Sequence, residues 1–196
     1  MASLVQGFPA GFPGVGFRSN VNTLGKQHGD NWLSAALGTS FFVTTASAGT
    51  TIPVIASGLV STFTLFNPAA SPVTLELIDY ELAVINATTV VSDISLYFQS
   101  GGAALATTTA LTPQSAQLGV TTTPNALAYS AATFTSTLTK GPALAAFGAT
   151  TYAGAQIIRY AFNGKILVPP GTAVTIAGKA AQTQAMQQAF SWAENS

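Results

Sequence analysis

The sequence predicts an all-β chain: a jelly-roll-like two-sheet sandwich with an extended N-terminal arm. Three observations carry this. From Gly38 onward, short runs alternate apolar and polar residues between Gly, Pro and Asn, which is the period and punctuation of strands. Helical periodicity is scarce. Residues 6–17 have a Gly, Phe and Pro composition that suits neither a helix nor a central strand. At 196 residues the chain is long enough for one domain with a substantial core. The expected organisation is an arm over residues 1–37 and a β-sandwich over 38–196.

The arm reads Gln6-Gly7-Phe8-Pro9-Ala10-Gly11-Phe12-Pro13-Gly14-Val15-Gly16-Phe17, a repeated Gly-Phe-Pro unit, and continues polar to Asp30. A Gly/Pro linker without aromatics would simply be flexible. Three Phe residues at spacings of four and five make it an extended arm with apolar anchors. Exposed rings are an aggregation hazard, so Phe8, Phe12 and Phe17, with Trp32 beyond them, are the expected contacts to a neighbouring subunit or shell. Residues 30–37 have room for one or two helical turns, with Asp30 as N-cap.

Strands are expected at residues 41–46, 52–56 and 59–66, the last bounded by Ser57-Gly58 and Asn67-Pro68. Residues 73–85 form the longest candidate. Val73, Leu75 and Leu77 line one face, and Ile78, Tyr80, Leu82 and Val84 the other. The apolar side therefore changes near Asp79, where a bulge or bend is expected. Residues 101–131 are rich in Ala, Thr and Ser, contain Pro113 and Pro124, and read as a long loop or a helix-loop insert. Further strands are expected at 94–99, 133–139, 156–162, 166–168, 173–177 and 187–194, with a turn at Asn163-Gly164. Residues 182–188 have a helix-compatible composition but run into the alternating Phe190-Ser191-Trp192-Ala193-Glu194. Many short strands with long excursions indicate a sandwich, most commonly a jelly roll.

Charge is the most restrictive property of the composition. Only 12 of 196 residues are Asp, Glu, Lys or Arg and none is Cys, against about a quarter charged in a typical soluble domain. Thr (27) and Ala (34) take much of the surface instead. Such a surface repels neighbours weakly and desolvates cheaply, which suits a subunit packed against others. Arg18, Lys26, Lys140, Arg159, Lys165 and Lys179 are scattered along a chain of zero net charge. Binding nucleic acid directly needs several cations on one face, so no such partner is expected.

Residues 31–75 and 94–139 carry no charge. Thr, Ser, Gly, Pro and Asn nevertheless break every apolar run before the ~18 residues of a spanning helix, so no membrane partner is expected. Residues 1–6 show no basic region leading into an apolar stretch, and no signal peptide is expected. The absence of Cys fits a reducing cytoplasm, or any particle that avoids redox sensitivity.

Groups able to do chemistry are almost missing, and the chain is expected not to be an enzyme. Its one histidine, His28, sits in Gln27-His28-Gly29-Asp30, a poorly preorganised place for a triad base. A zinc site needs three or four ligands that the chain does not supply. No catalytic, cofactor or metal residue is assigned. Glu76, Asp79, Glu81 and Asp93 form the one concentration of charge. Asp79 and Glu81 share a strand face and read as a solvated edge or an ion pair with Arg159. Cation binding and glycosidase chemistry remain alternatives. Gly164-Lys165 lacks the glycines of a phosphate loop, and Asn86-Ala87-Thr88 matches a glycosylation sequon without a secretory signal.

Two stretches carry a resemblance: Val168-Pro169-Pro170-Gly171-Thr172 with the closing Trp192-Ala193-Glu194, and Phe66-Asn67-Pro68-Ala69-Ala70 followed by a long Val/Leu strand. Over about residues 50–194 the chain resembles small virion proteins of tailed bacteriophages, most of all β-sandwich capsid decoration (cement) proteins. The resemblance implies a homotrimer on the capsid exterior, made in the host cytoplasm, that clamps the major capsid protein and carries no cofactor. The Gly-Phe-Pro arm has no counterpart in that group. A tail, fibre or baseplate component, a minor capsid protein, or a glycan-binding module using Tyr129, Phe147 or Tyr152 are the other readings.

Overall fold

A computed structural model describes residues 37–54, 60–84, 88–89, 91–101, 105–148, 150–151 and 156–195. The expected arm contacts Phe8, Phe12, Phe17 and Trp32 lie outside the described residues, as do His28, Asn86, Tyr152 and all but the last residue of the 30–37 segment.

Every described element is a strand. In chain order they are β1 (Ser40–Thr44), β2 (Thr50–Ile52), β3 (Val60–Ser61), β4 (Thr64–Asn67), β5 (Thr74–Val84), β6 (Thr88–Thr89), β7 (Ser92–Gln99) and β8 (Ala106–Leu111). There follow β9 (Gln114–Ser115), β10 (Leu127–Thr133), β11 (Thr139–Phe147), β12 (Thr150–Thr151), β13 (Gln156–Val168), β14 (Thr172–Gly178) and β15 (Gln182–Asn195). Among the described residues no helix is long and apolar enough to cross a membrane.

Two antiparallel sheets of six and seven strands pack face to face. Their frame is eight strands: β1, β4, β5, β7, β11, β13, β14 and β15. Counted one to eight along the chain, one sheet runs 1-8-3-6 and the other 2-7-4-5. That interleaving is the double Greek key of a jelly roll. The expected fold class is therefore the observed one.

Between the sheets lies an apolar core that includes Phe41, Leu65, Leu75, Leu82, Ile94, Ile176, Phe190 and Trp192. Phe63 stacks on Phe190 across the interior at 5.2 Å between ring centroids, and Tyr80 meets the same ring at 5.3 Å. Burying each such side chain contributes about 1.5–3 kcal/mol.

The change of apolar face in β5 is a bulge. Ser191 pairs with Asp79 and Trp192 with Leu77, which leaves Ile78 unmatched on β15. Leu75 and Leu77 point inward before it, and Tyr80, Leu82 and Val84 after it. The expected turn at Asn163-Gly164 is different. Both halves of β13 pair with β5, so the chain does not reverse there; it loops out between Ala161 and Ile166 as a wide bulge. Asn163 and Gly164 adopt φ of 53° and 71°, the left-handed conformations that let the strand leave and rejoin its register.

Three other expectations are corrected. Residues 182–188 are strand, since β15 begins at Gln182 and places Met186 in the core. Ala and Gln favour a helix locally, but pairing with β5 and β2 outweighs so small a preference. The proposed strand at 133–139 is a break between β10 and β11, held where the Gln99 side-chain carbonyl accepts hydrogen bonds from the Thr135 and Ser136 amides. Residues 101–131 are not simply loop or helix-loop insert: they contain β8, β9 and the start of β10.

This insert closes one side of the sandwich. β10 pairs beyond β4 and carries β8 as its outer neighbour, while β9 pairs with the outer edge of β1. On the opposite side β11 and β13 end their sheets. The Pro169-Pro170-Gly171 corner is tied to the Asn67 turn. Gly171 donates to the Asn67 carbonyl at 2.8 Å, and the Asn67 amide group donates to Val73 and Val168 carbonyls at 2.9 Å each.

Gly49, at φ 72°, lies where an added Cβ would come within 2.8 Å of the Met186 amide nitrogen. Gly49→Ala should cost about 2 kcal/mol or more, from left-handed strain plus a clash with backbone that cannot move aside. A lowered urea midpoint with unchanged slope is the expected readout.

Candidate interaction surface

Among the described charges, Asp79 and Glu81 pair with Arg159, and Asp93 pairs with Lys140. On the outer face of the 1-8-3-6 sheet, Arg159 of β13 donates to Asp79 and lies 3.5 Å from Glu81, both on β5. Ser191 of β15 donates to the other Asp79 oxygen at 2.6 Å. The Asp79 hydrogen bond, aided by its charge and that of Glu81, holds Arg159 still more firmly protonated. Glu76 stands apart beyond the bulge and accepts from the Asn195 amide at 3.0 Å. Asp93 is on β7, in the other sheet, paired with Lys140 at 2.5 Å. Thus the four carboxylates that are near in sequence occupy three places. Among the described residues no group of three or more His, Cys, Asp or Glu is placed to hold a metal.

Inside, the polar groups are structural. Tyr80 donates its hydroxyl to the Gln188 side chain at 3.0 Å, and Gln188 donates in turn to Thr50 at 2.7 Å. Burial pushes the Tyr80 phenol far above its ordinary range. Glu194 follows Phe190 and Trp192 on the inward face of β15. Its carboxylate accepts from the amides of Asn125 and Ala126 and from the Asn125 side chain, each at 2.9 Å, and from the Trp192 indole at 3.4 Å. It thereby fastens the insert to the last strand of the frame. Sequence reasoning placed Glu194 in a terminal strand and a resemblance motif, but its partners on the insert lie 68 and 69 residues away, and no local pattern announces them.

What faces outward is apolar and uncharged over wide stretches. Leu37, Leu118, Val120 and Leu127 are exposed on or beside the insert, and Ile157 and Leu167 on β13. A groove of about 470 Å³ runs between β8, β9 and β10, lined by Leu111, Pro113, Val120, Thr122, Leu127 and Tyr129 among others. A smaller apolar cleft of about 200 Å³ opens at the β11/β13 side, between Leu96, Phe98, Pro142 and Ile166. Of the aromatics expected to stack on sugars, Tyr129 lines the large groove, whereas Phe147 is buried in the core and unavailable.

No family model, curated protein or solved structure matches this chain.

Removing the Glu194 charge while keeping its shape tests the insert's anchor. Glu194→Gln should destabilise by about 2 kcal/mol, the scale of a charge-assisted hydrogen bond. Amide exchange should rise first in residues 120–130, with β5 and β14 staying protected. The Asp93–Lys140 pair makes a pH prediction. The hydrogen bond from Lys140 holds Asp93 below the usual carboxylate range, and the bond to Asp93 holds Lys140 above the usual amine range. The aspartate contribution is therefore present above the unfolded value of about 3.9 and lost as pH falls through the lower folded value. The lysine contribution is present below about 10.4 and lost as pH rises through the higher folded value. Wild type should melt slightly above Asp93→Asn at neutral pH, with the gap closing at both acid and alkaline extremes.

Proposed function

We propose that this chain is a structural virion subunit that binds the outer surface of a phage capsid as a decoration, or cement, protein. The observation that carries the reading is the surface: strands of a rigid jelly roll whose exterior is mostly Thr, Ala and exposed aliphatic side chains, with the few described ion pairs confined to small spots. Such a surface loses little hydration energy when covered. The partners in this reading are the major capsid protein and two further copies of the chain, on the virion exterior. Phe8, Phe12, Phe17 and Trp32 supply anchors whose burial offsets the entropy of ordering the arm.

A second reading has its own support. The 1-8-3-6 and 2-7-4-5 strand order is one that viral capsid subunits share with lectins and cupins. On that reading the chain is itself a minor or major component of a shell.

Mixing the purified full-length chain with undecorated phage capsids and pelleting them separates the readings. Decoration expects saturable co-sedimentation in fixed stoichiometry. Failure to bind combined with closed shells of this chain alone would favour the second reading, and robust binding to a glycan array would overturn both.

A further inference from the structure

We propose that the groove between β8, β9 and β10 is the docking site for this chain's own Gly-Phe-Pro arm, residues 7–17. The groove is lined by apolar and uncharged polar residues of the insert. Val120 and Leu127, both in its lining, are 41% and 43% exposed, and Leu118, two residues before Val120 in the chain, is 82% exposed. No charged residue occurs between 94 and 139, so occupying the groove strands no charge away from water.

The position of the chain outside the described structure names the occupant. The arm joins the sandwich at β1, whose outer edge pairs with β9 at Phe41–Ser115 and Phe42–Gln114. Gly38, two residues before β1, lies against Thr122, which lines the groove. The arm therefore leaves the domain beside this groove. Residues 18–36 are the tether between anchor segment and domain. Fully extended they span roughly 60 Å, ample to fold back over a small domain. A tether of that kind holds the anchors at an effective concentration on the order of millimolar, so weak individual contacts suffice.

The chemistry of the arm fits as well. Its first charge is Arg18, so residues 1–17 are as charge-free as the groove. In an extended conformation Phe8, Ala10 and Phe12 fall on one face. Pro9 and Pro13, four apart, direct their missing donors to the same edge. The other edge keeps the amides of Phe8, Ala10 and Phe12 free to pair with a neighbouring backbone. The segment is thus suited to lie as a single added edge strand, aromatic face toward an apolar wall. On this inference Phe8 and Phe12 are held in the groove of this chain or of a second copy, which leaves the exposed outer surface for contact with a shell.

The chain has no cysteine, which makes the test direct. Full-length Phe12→Cys/Val120→Cys, treated with a short bismaleimide, should cross-link at least ten-fold more than Phe12→Cys/Leu167→Cys or Phe12→Cys/Ile157→Cys, which report the β11/β13 cleft and the outer sheet face. A monomeric product is expected in dilute solution. A dimeric product places the arm in a second copy's groove and also supports the site. Equal yields for the three pairs, or a preference for Leu167, would overturn it. Independently, full-length Phe8→Ser/Phe12→Ser/Phe17→Ser should exchange amides faster than wild type in residues 110–129 and unchanged in β5 and β14. No change in 110–129 would equally overturn the proposal.

Discussion

The structure depends on the inward row of β15. Met186, Gln188, Phe190, Trp192 and Glu194 point one after another into the space between the sheets. Met186, Phe190 and Trp192 bring the large apolar surface, with Phe190 in contact with both Phe63 and Tyr80. Gln188 and Glu194 are polar, yet each is met by donors or acceptors from distant parts of the chain. Buried polar groups so satisfied fix register more sharply than apolar packing alone, because any slip leaves them unpaired. β15 also sits between β1 and β5, so its register sets that of the whole 1-8-3-6 sheet.

From that strand the two sides of the sandwich diverge. Glu194 clasps the insert that extends one side with β8, β9 and β10. The opposite side ends in β11 and β13, where Arg159, Asp79 and Glu81 supply charges near an edge. Charges at an edge strand discourage indiscriminate strand pairing. The groove at the insert, beside Gly38, is lined without a charge, while Ile157 and Leu167 add exposed apolar surface on β13.

Much of the frame was legible in the sequence because it is written in local alternation. The exchange of apolar face around Asp79 is a shift of parity that any strand must resolve by a bulge, and β5 does so at Ile78. The same-face spacing of Asp79 and Glu81 allowed a solvated edge or an ion pair with a cation such as Arg159, and the structure holds the ion pair. The insert was not legible. Its Thr and Ala residues alternate too weakly to mark strands, and β9 and β10 exist because β1 and β4 offer them an edge. Gln182 to Gln188 misled for a related reason: a helix-compatible composition was drawn into a sheet by long-range pairing. The groove shared this obscurity, since its walls come together only when the insert is folded against β1.

On the proposed reading this protein acts through contact between its surface and other protein surfaces, its own copies included. Sedimentation equilibrium of the purified full-length chain, over a wide range of concentration, tests that claim most directly. Reversible association that saturates at a trimer is the expected result. A chain that stays monomeric at every concentration would contradict it.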